Sequence, residues 1–172
     1  MNLELMAMQW LRWDRRCMIV LTERSPRQWV CGRPDVLGIT CARYLIEIEI
    51  KRSLSDFRAD AKKSSRLNRM HYLKKHPKQF YYLIPRELLP SVSPIVPEWA
   101  GLITGPTPKS FAIIVEKIAP INSDSEKVSI KECLRMVHLV SNQAISEKVS
   151  SESIKSNWRY GYEPYWPIEY EI

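Results

Sequence analysis

The sequence predicts an α/β domain, a β-sheet flanked by helices, and three observations predict it. Residues 44–51 (Tyr-Leu-Ile-Glu-Ile-Glu-Ile-Lys) alternate strictly at their end, the period of a strand. Ile46, Ile48 and Ile50 point one way, while Glu47, Glu49 and Lys51 point the other. A helix start comes at once, because Ser53 is a natural N-cap and Asp56 three residues on gives a capping-box-like beginning. Helix-period and strand-like segments then interleave along the chain.

Each element has its own reason. Residues 3–15 read as an amphipathic helix, with Leu3, Met6, Trp10 and Trp13 at helical spacing and Arg12, Arg15 and Arg16 favouring its C-terminal end. Residues 17–22 are a continuous apolar run suited to a buried strand. Residues 23–28, with Pro26, read as a loop, and residues 29–40 as a strand bent at Gly32-Arg33-Pro34. The short link 41–43 makes antiparallel pairing of 35–40 with 44–51 plausible, although no Asn-Gly pair fixes the turn. After Ser53 the inward stripe is Leu54, Phe57 and Ala61, and the helix runs to about residue 70, with Pro77 closing the region. Residues 79–84 (Gln-Phe-Tyr-Tyr-Leu-Ile) form a strand ended by Pro85, and a Pro-rich loop occupies 89–97. Residues 100–103 and 111–118 are further strand candidates, 120–129 a polar linker, and 130–146 a helix. The chain divides into a domain over 1–146 and an aromatic-rich extension over 147–172 carrying Trp158, Tyr160, Tyr162, Tyr165 and Trp166.

Charge narrows the class of partner. The 172 residues carry a net charge of +7, and the excess is concentrated. Residues 51–78 hold ten Lys/Arg against two acids, whereas the rest of the chain holds sixteen Lys/Arg and seventeen acids. Such a segment suits a polyanion, since neutralised phosphates release condensed counterions. Arg58, Lys62, Arg66 and Arg69 succeed one another at four, four and three residues and share a helix face, a basic stripe for a nucleic-acid backbone. A solvated face would show the same spacing. The four cysteines include no Cys-x-x-Cys pair, which argues against a zinc knuckle or a redox dithiol, and they are expected as reduced thiols, mostly buried. His71 and His76 read as surface histidines rather than ligands. The longest early apolar run, 17–21, is too short for a signal peptide or a membrane span, so a cytoplasmic protein with no membrane partner is expected.

The chemistry converges on the strand pair. Glu49 and Lys51 lie one pleat repeat apart, so their side chains stand about 7 Å apart. Asp35 begins the neighbouring strand, and a short hairpin brings it near Glu49, with Glu47 one repeat further along the same face. Two carboxylates from adjacent strands suit a hard cation such as Mg²⁺, and a lysine beside them supplies positive charge for a developing anion. Glu-x-Lys alone is a weak signal, because alternating Glu and Lys is also a common solvent-exposed pattern. Tyr81 and Tyr82 are candidates for base stacking, although alternation sends one of them inward.

Pro34-Asp35 followed by Glu49-Ile50-Lys51 resembles the PD-(D/E)xK motif of the restriction-endonuclease-like nuclease superfamily. The run from Leu45 through Lys63, then Phe-Tyr-Tyr-Leu-Ile-Pro and Pro-Glu-Trp-Ala-Gly-Leu-Ile, is similar to its small single-domain branch of bacterial and phage proteins, including MmcB-like DNA-repair proteins. The resemblance spans about residues 10–115. It implies a restriction-endonuclease-like core with a central mixed β-sheet, Asp35 and Glu49 as metal ligands, Lys51 as catalytic lysine, and Mg²⁺ or Mn²⁺ as the cofactor, with no small-molecule cofactor. In some relatives an acid of the first helix joins the site, and here Glu4 is the candidate. The expected activity is metal-dependent cleavage of DNA in repair, recombination or phage DNA processing. A non-catalytic DNA-binding accessory protein on the same fold is the alternative, and a protein-interaction module using the aromatic C-terminus is the third. Cutting both strands of a duplex would favour a homodimer.

Overall fold

The computed structural model describes residues 2–22, 34–61, 76–105 and 112–151. Helix α1 (Leu3–Gln9) starts at Asn2, whose side chain accepts from the backbone N–H groups of Glu4 and Leu5. It runs directly into a π-helical turn, Trp10–Asp14. That wider turn corrects the expected apolar stripe. An extra residue per turn rotates the later side chains around the helix axis, so Leu11 is fully buried while Trp13 is 67% exposed.

Among the described residues, six strands form one sheet whose spatial order is that of the chain: β1 (Cys17–Thr22), β2 (Val36–Thr40), β3 (Leu45–Ile50), β4 (Gln79–Ile84), β5 (Gly101–Thr104) and β6 (Ile114–Lys117). β1, β2 and β3 are a meander of antiparallel neighbours, β3–β4 and β4–β5 are parallel, and β6 returns antiparallel to β5. The sheet is therefore mixed and flanked by helices, consistent with the expected α/β class. The turn between β2 and β3 is fixed without an Asn-Gly pair. Thr40 Oγ1 accepts from Tyr44 N, Arg43 N donates to Thr40 O, and Arg43 takes a left-handed φ of 66°.

Parallel neighbours need a crossover. Between β3 and β4 it contains α2 (Leu54–Ala61). Between β4 and β5 it contains short helical turns at Arg86–Leu88 and Ser93–Ile95 around α3 (Leu89–Val92). The Pro-rich stretch expected as a loop is thus largely helical. Pro90 and Pro94 are the second residues of their helical turns, within the first turn, where a missing N–H breaks no helical bond. Helix α4 (Ile130–Ser151) begins with a reciprocal cap, Ser129 N donating to Glu132 Oε2 and Glu132 N to Ser129 Oγ.

The sheet separates two layers. One face carries Val36, Ile46, Ile48, Tyr81, Leu83 and Ile103 under α1. The other carries Ile19, Leu37, Ile39 and Leu45 under α4, and Phe80, Tyr82, Ile84 and Leu102 under α2 and α3. Cys17 and Cys133 are buried free thiols, as expected, whereas Cys41 is exposed. His76 corrects the expectation of a surface residue: it is buried where the chain enters β4, two residues before Lys78, whose N–H and C=O bond Leu45 and Asn122. His71 lies outside the described residues. No helix among the described residues is long and apolar enough to cross a membrane.

Candidate active site

The face of β3 that carries Leu45, Glu47, Glu49 and Lys51 is the layer under α2, α3 and α4, and the meander register brings Asp35 to it. Val36 pairs with Ile48, so Asp35, one step before, stands opposite Glu49. Residues directly opposed in an antiparallel pair share a face. Asp35 Oδ2 accepts from the Ile50 backbone N–H at 2.6 Å, which pins that carboxylate against the end of β3. Charge on the acceptor strengthens such a bond. The next N–H points the other way, and Lys51 N donates to Leu83 O at 2.9 Å, extending the parallel pairing with β4.

Lys51 then turns back along its own strand. The flexible stem closes the 7 Å spacing expected between the side chains, and Nζ lies 3.0 Å from Glu49 Oε1. It lies 3.4 Å from Asp60 Oδ1 on α2. Both Lys51 and Asp60 are only 5% exposed. Burial by itself pushes the Lys51 amine down, but the carboxylates of Glu49, Asp60 and Asp56 more than offset this and hold it above the ordinary lysine value. The amine is a fixed cation.

Asp60 is the residue that the sequence pattern did not single out. A signal existed, because Asp60 stands three residues after Phe57 and therefore shares its inward face. Phe57 packs on the Tyr82 ring at 4.8 Å, and Tyr82 donates its hydroxyl to Asp60 Oδ2 at 3.1 Å. Glu49 in turn pairs with Tyr82 in the parallel register, so α2, β3 and β4 meet at this point. The capping role expected of Asp56 is observed. Its N–H donates to Ser53 Oγ at 3.1 Å and its carboxylate receives Arg52 N at 3.4 Å.

The remaining candidates are more dispersed. Glu47 is buried one pleat repeat deeper on the same face. Glu4 lies on α1, whose Leu3 side chain reaches Gly105 beyond the end of β5, so it is at the same end of the sheet but in the opposite layer. Arg58 is exposed on α2, and Lys62, Arg66 and Arg69 lie outside the described residues. Tyr81 and Tyr82 are both buried, on opposite faces, which removes them as base-stacking platforms; their rings pack on Trp10 and Phe57 instead.

This group sits where the C-terminal ends of β3, β4 and β5 meet the start of β2. Open α/β sheets bind ligands outside the carboxyl ends of their parallel strands. Among the described residues no three His, Cys, Asp or Glu side chains form a ready metal cage. The pair Asp35 and Glu49 instead fits the chemistry of Mg²⁺ or Mn²⁺, which take one or two carboxylates and complete their shell with water and phosphate oxygens. A separate groove of about 420 Å³ lies between α1, β1 and α4, lined by Leu5, Met8, Trp13, Met18, Val137 and Val140. Its lining is mainly apolar and offers no hydrolytic chemistry.

No family model matches the chain, and none of the curated proteins matches it. Among solved structures, it is similar to a protein of unknown function from Silicibacter pomeroyi, with a TM-score of 0.53, 18% identity, and coverage of 86% of this chain and 89% of that one. At that identity the likeness is one of fold.

Proposed function

We propose that this protein is a metal-dependent nuclease of the restriction-endonuclease-like kind, hydrolysing DNA phosphodiester bonds at Asp35, Glu49 and Lys51. The observation that carries this reading is the meeting of three charged side chains at one sheet end. Asp35 is held on the Ile50 N–H, Glu49 stands opposite it, and the Lys51 amine lies 3.0 Å from Glu49.

Asp35 and Glu49 would hold Mg²⁺ or Mn²⁺ between neighbouring strands. Bound there, the cation lowers the pKa of a water and offsets charge on the phosphoryl oxygens. Lys51, cationic throughout the neutral range, sets a point charge beside the scissile group, where it favours the anion that develops. The basic segment that begins at Lys51 and includes Arg58 supplies attraction to the phosphate backbone, with Lys62, Arg66 and Arg69 further along it. A bound cation also reconciles an acidic cluster with a polyanion that it would otherwise repel.

The test is a cleavage assay on single-stranded, duplex and branched DNA with Mg²⁺, Mn²⁺ or EDTA. Cleavage is expected only with metal, and Glu49→Ala, Asp35→Ala and Lys51→Ala are each expected to lower it about 100-fold or more. A Lys51→Ala protein that keeps full metal-dependent cleavage sinks the proposal.

One observation favours a second reading, a non-catalytic DNA-binding protein on the same fold. Lys51 already has two carboxylates within 3.4 Å, so its charge is largely balanced inside the protein. That reading expects salt-sensitive DNA binding, no cleavage in any divalent metal, and binding that survives substitution of Asp35 or Glu49.

A further inference from the structure

We infer that Asp60 is a positioning residue that shares the Lys51 amine with Glu49 and thereby leaves Glu49 able to take a divalent cation. The inference rests on the reading of Asp35 and Glu49 as cation ligands.

The geometry is a relay of three groups across two elements. Lys51 Nζ stands between Glu49 Oε1 at 3.0 Å and Asp60 Oδ1 at 3.4 Å. The second oxygen of Asp60 receives the Tyr82 hydroxyl at 3.1 Å, so its carboxylate is oriented from β4 while its backbone belongs to α2. Helix α2 is seated by Phe57 against the same Tyr82 ring. Asp60 is therefore fixed in place independently of Lys51.

A lysine with Glu49 as its sole counter-charge would form a closed pair, and an arriving cation would have to displace an amine that had no other partner in a buried setting. Uncompensated charge there is strongly disfavoured. Asp60 changes the competition. When a cation takes Glu49, the amine keeps a second carboxylate within reach, and the exchange leaves neither charge stranded. Lys51 also stays beside the metal site instead of swinging to solvent. Asn at position 60 returns the whole amine to Glu49 and works against the cation. Met at position 51 removes the competitor and works for it.

The experiment is Mn²⁺ titration by calorimetry of the full chain, with Tm measured in parallel. Asp60→Asn, which preserves an acceptor for Tyr82, is expected to weaken Mn²⁺ binding about tenfold, the usual scale for a group that acts through a ligand. Lys51→Met is expected to tighten it. In the double variant the Asp60 substitution is expected to lose most of its effect, because its target is gone. A merely structural Asp60 would show neither the opposite signs nor the coupling. If Asp60→Asn does not fold, Lys51→Met still carries the test: weaker or unchanged Mn²⁺ binding overturns the inference. Parent binding that depends on Glu49 but ignores Asp60 overturns it while sparing the ligand reading. Parent binding that is absent, or indifferent to Glu49→Ala, overturns both.

Discussion

The two faces of β3 are built on opposite principles. Ile46 and Ile48 enter the apolar cluster under α1, where burial itself is the stabilising term. On the opposite face of this strand and at its end, Glu47 and Lys51 are just as deeply buried, with Glu49 close behind. Charges at that depth lose hydration, and even a well-paired buried cluster often contributes less stability than apolar residues of the same size. The apolar face explains why the strand folds where it does. The charged face has no comparable account in stability, and the proposed chemical task at the sheet end would supply one.

The comparison can be broken from either side. On the apolar face, Ile48→Ala is expected to lower stability by about 2–5 kcal/mol, read by urea denaturation, because it opens a cavity in a fully buried layer. A loss below 1 kcal/mol would mean that this face is not the principal core. Gly101→Ala is expected to be next, at about 1–3 kcal/mol. A Cβ there would come within 2.5 Å of the Tyr81 ring and 2.7 Å of Ala119 N, and neither backbone nor a packed ring yields easily. On the charged face, the triple change Glu49→Gln, Lys51→Met and Asp60→Asn removes the pair together with the second carboxylate that Lys51 holds. It is expected to shift stability by less than about 1 kcal/mol in either direction while abolishing cleavage. Large destabilisation would assign the pair to folding instead.

The most gradual effect is a pH slope. Burial pushes the Cys17 thiol up to about 11, with the nearby Arg15 opposing. The folded protein thus holds this proton more tightly than the unfolded chain. The corresponding stability is fully present below about pH 9 and is lost as pH rises through about 11. Lys51, also raised, works in the same direction and is lost above the ordinary lysine range. Cys17→Ala is expected to flatten the decline between these two pH values in denaturation curves, leaving the Lys51 contribution behind.

Strands are the most legible part of the sequence. The strand expected over residues 79–84 is observed with the same limits, and the alternation of β3 assigns the correct residues to each face. Both come from side-chain period, which is local. Asp35 is legible as a neighbour of Glu49 because a meander with a short link leaves few registers. Trp13 departs from expectation because a π-turn shifts helical phase without a composition signal. His76 departs from it because its burial depends on segments distant in the chain. Asp60 does not stand out as a site residue because the inward face of α2 is recognised by its apolar residues, and a buried acid there takes its meaning from Lys51 and Tyr82, which come from other elements.

Local chemistry, then, is determined by the sequence alone: which residues alternate, where Ser53 starts a helix, and which side chains β3 turns each way. Only the tertiary structure decides that β4 pairs parallel beside β3 and that α2 lowers Asp60 onto the Lys51 amine. The physical reason is range. Periodicity and capping act within a few residues, whereas a crossover joins groups whose contact is set by how whole elements pack.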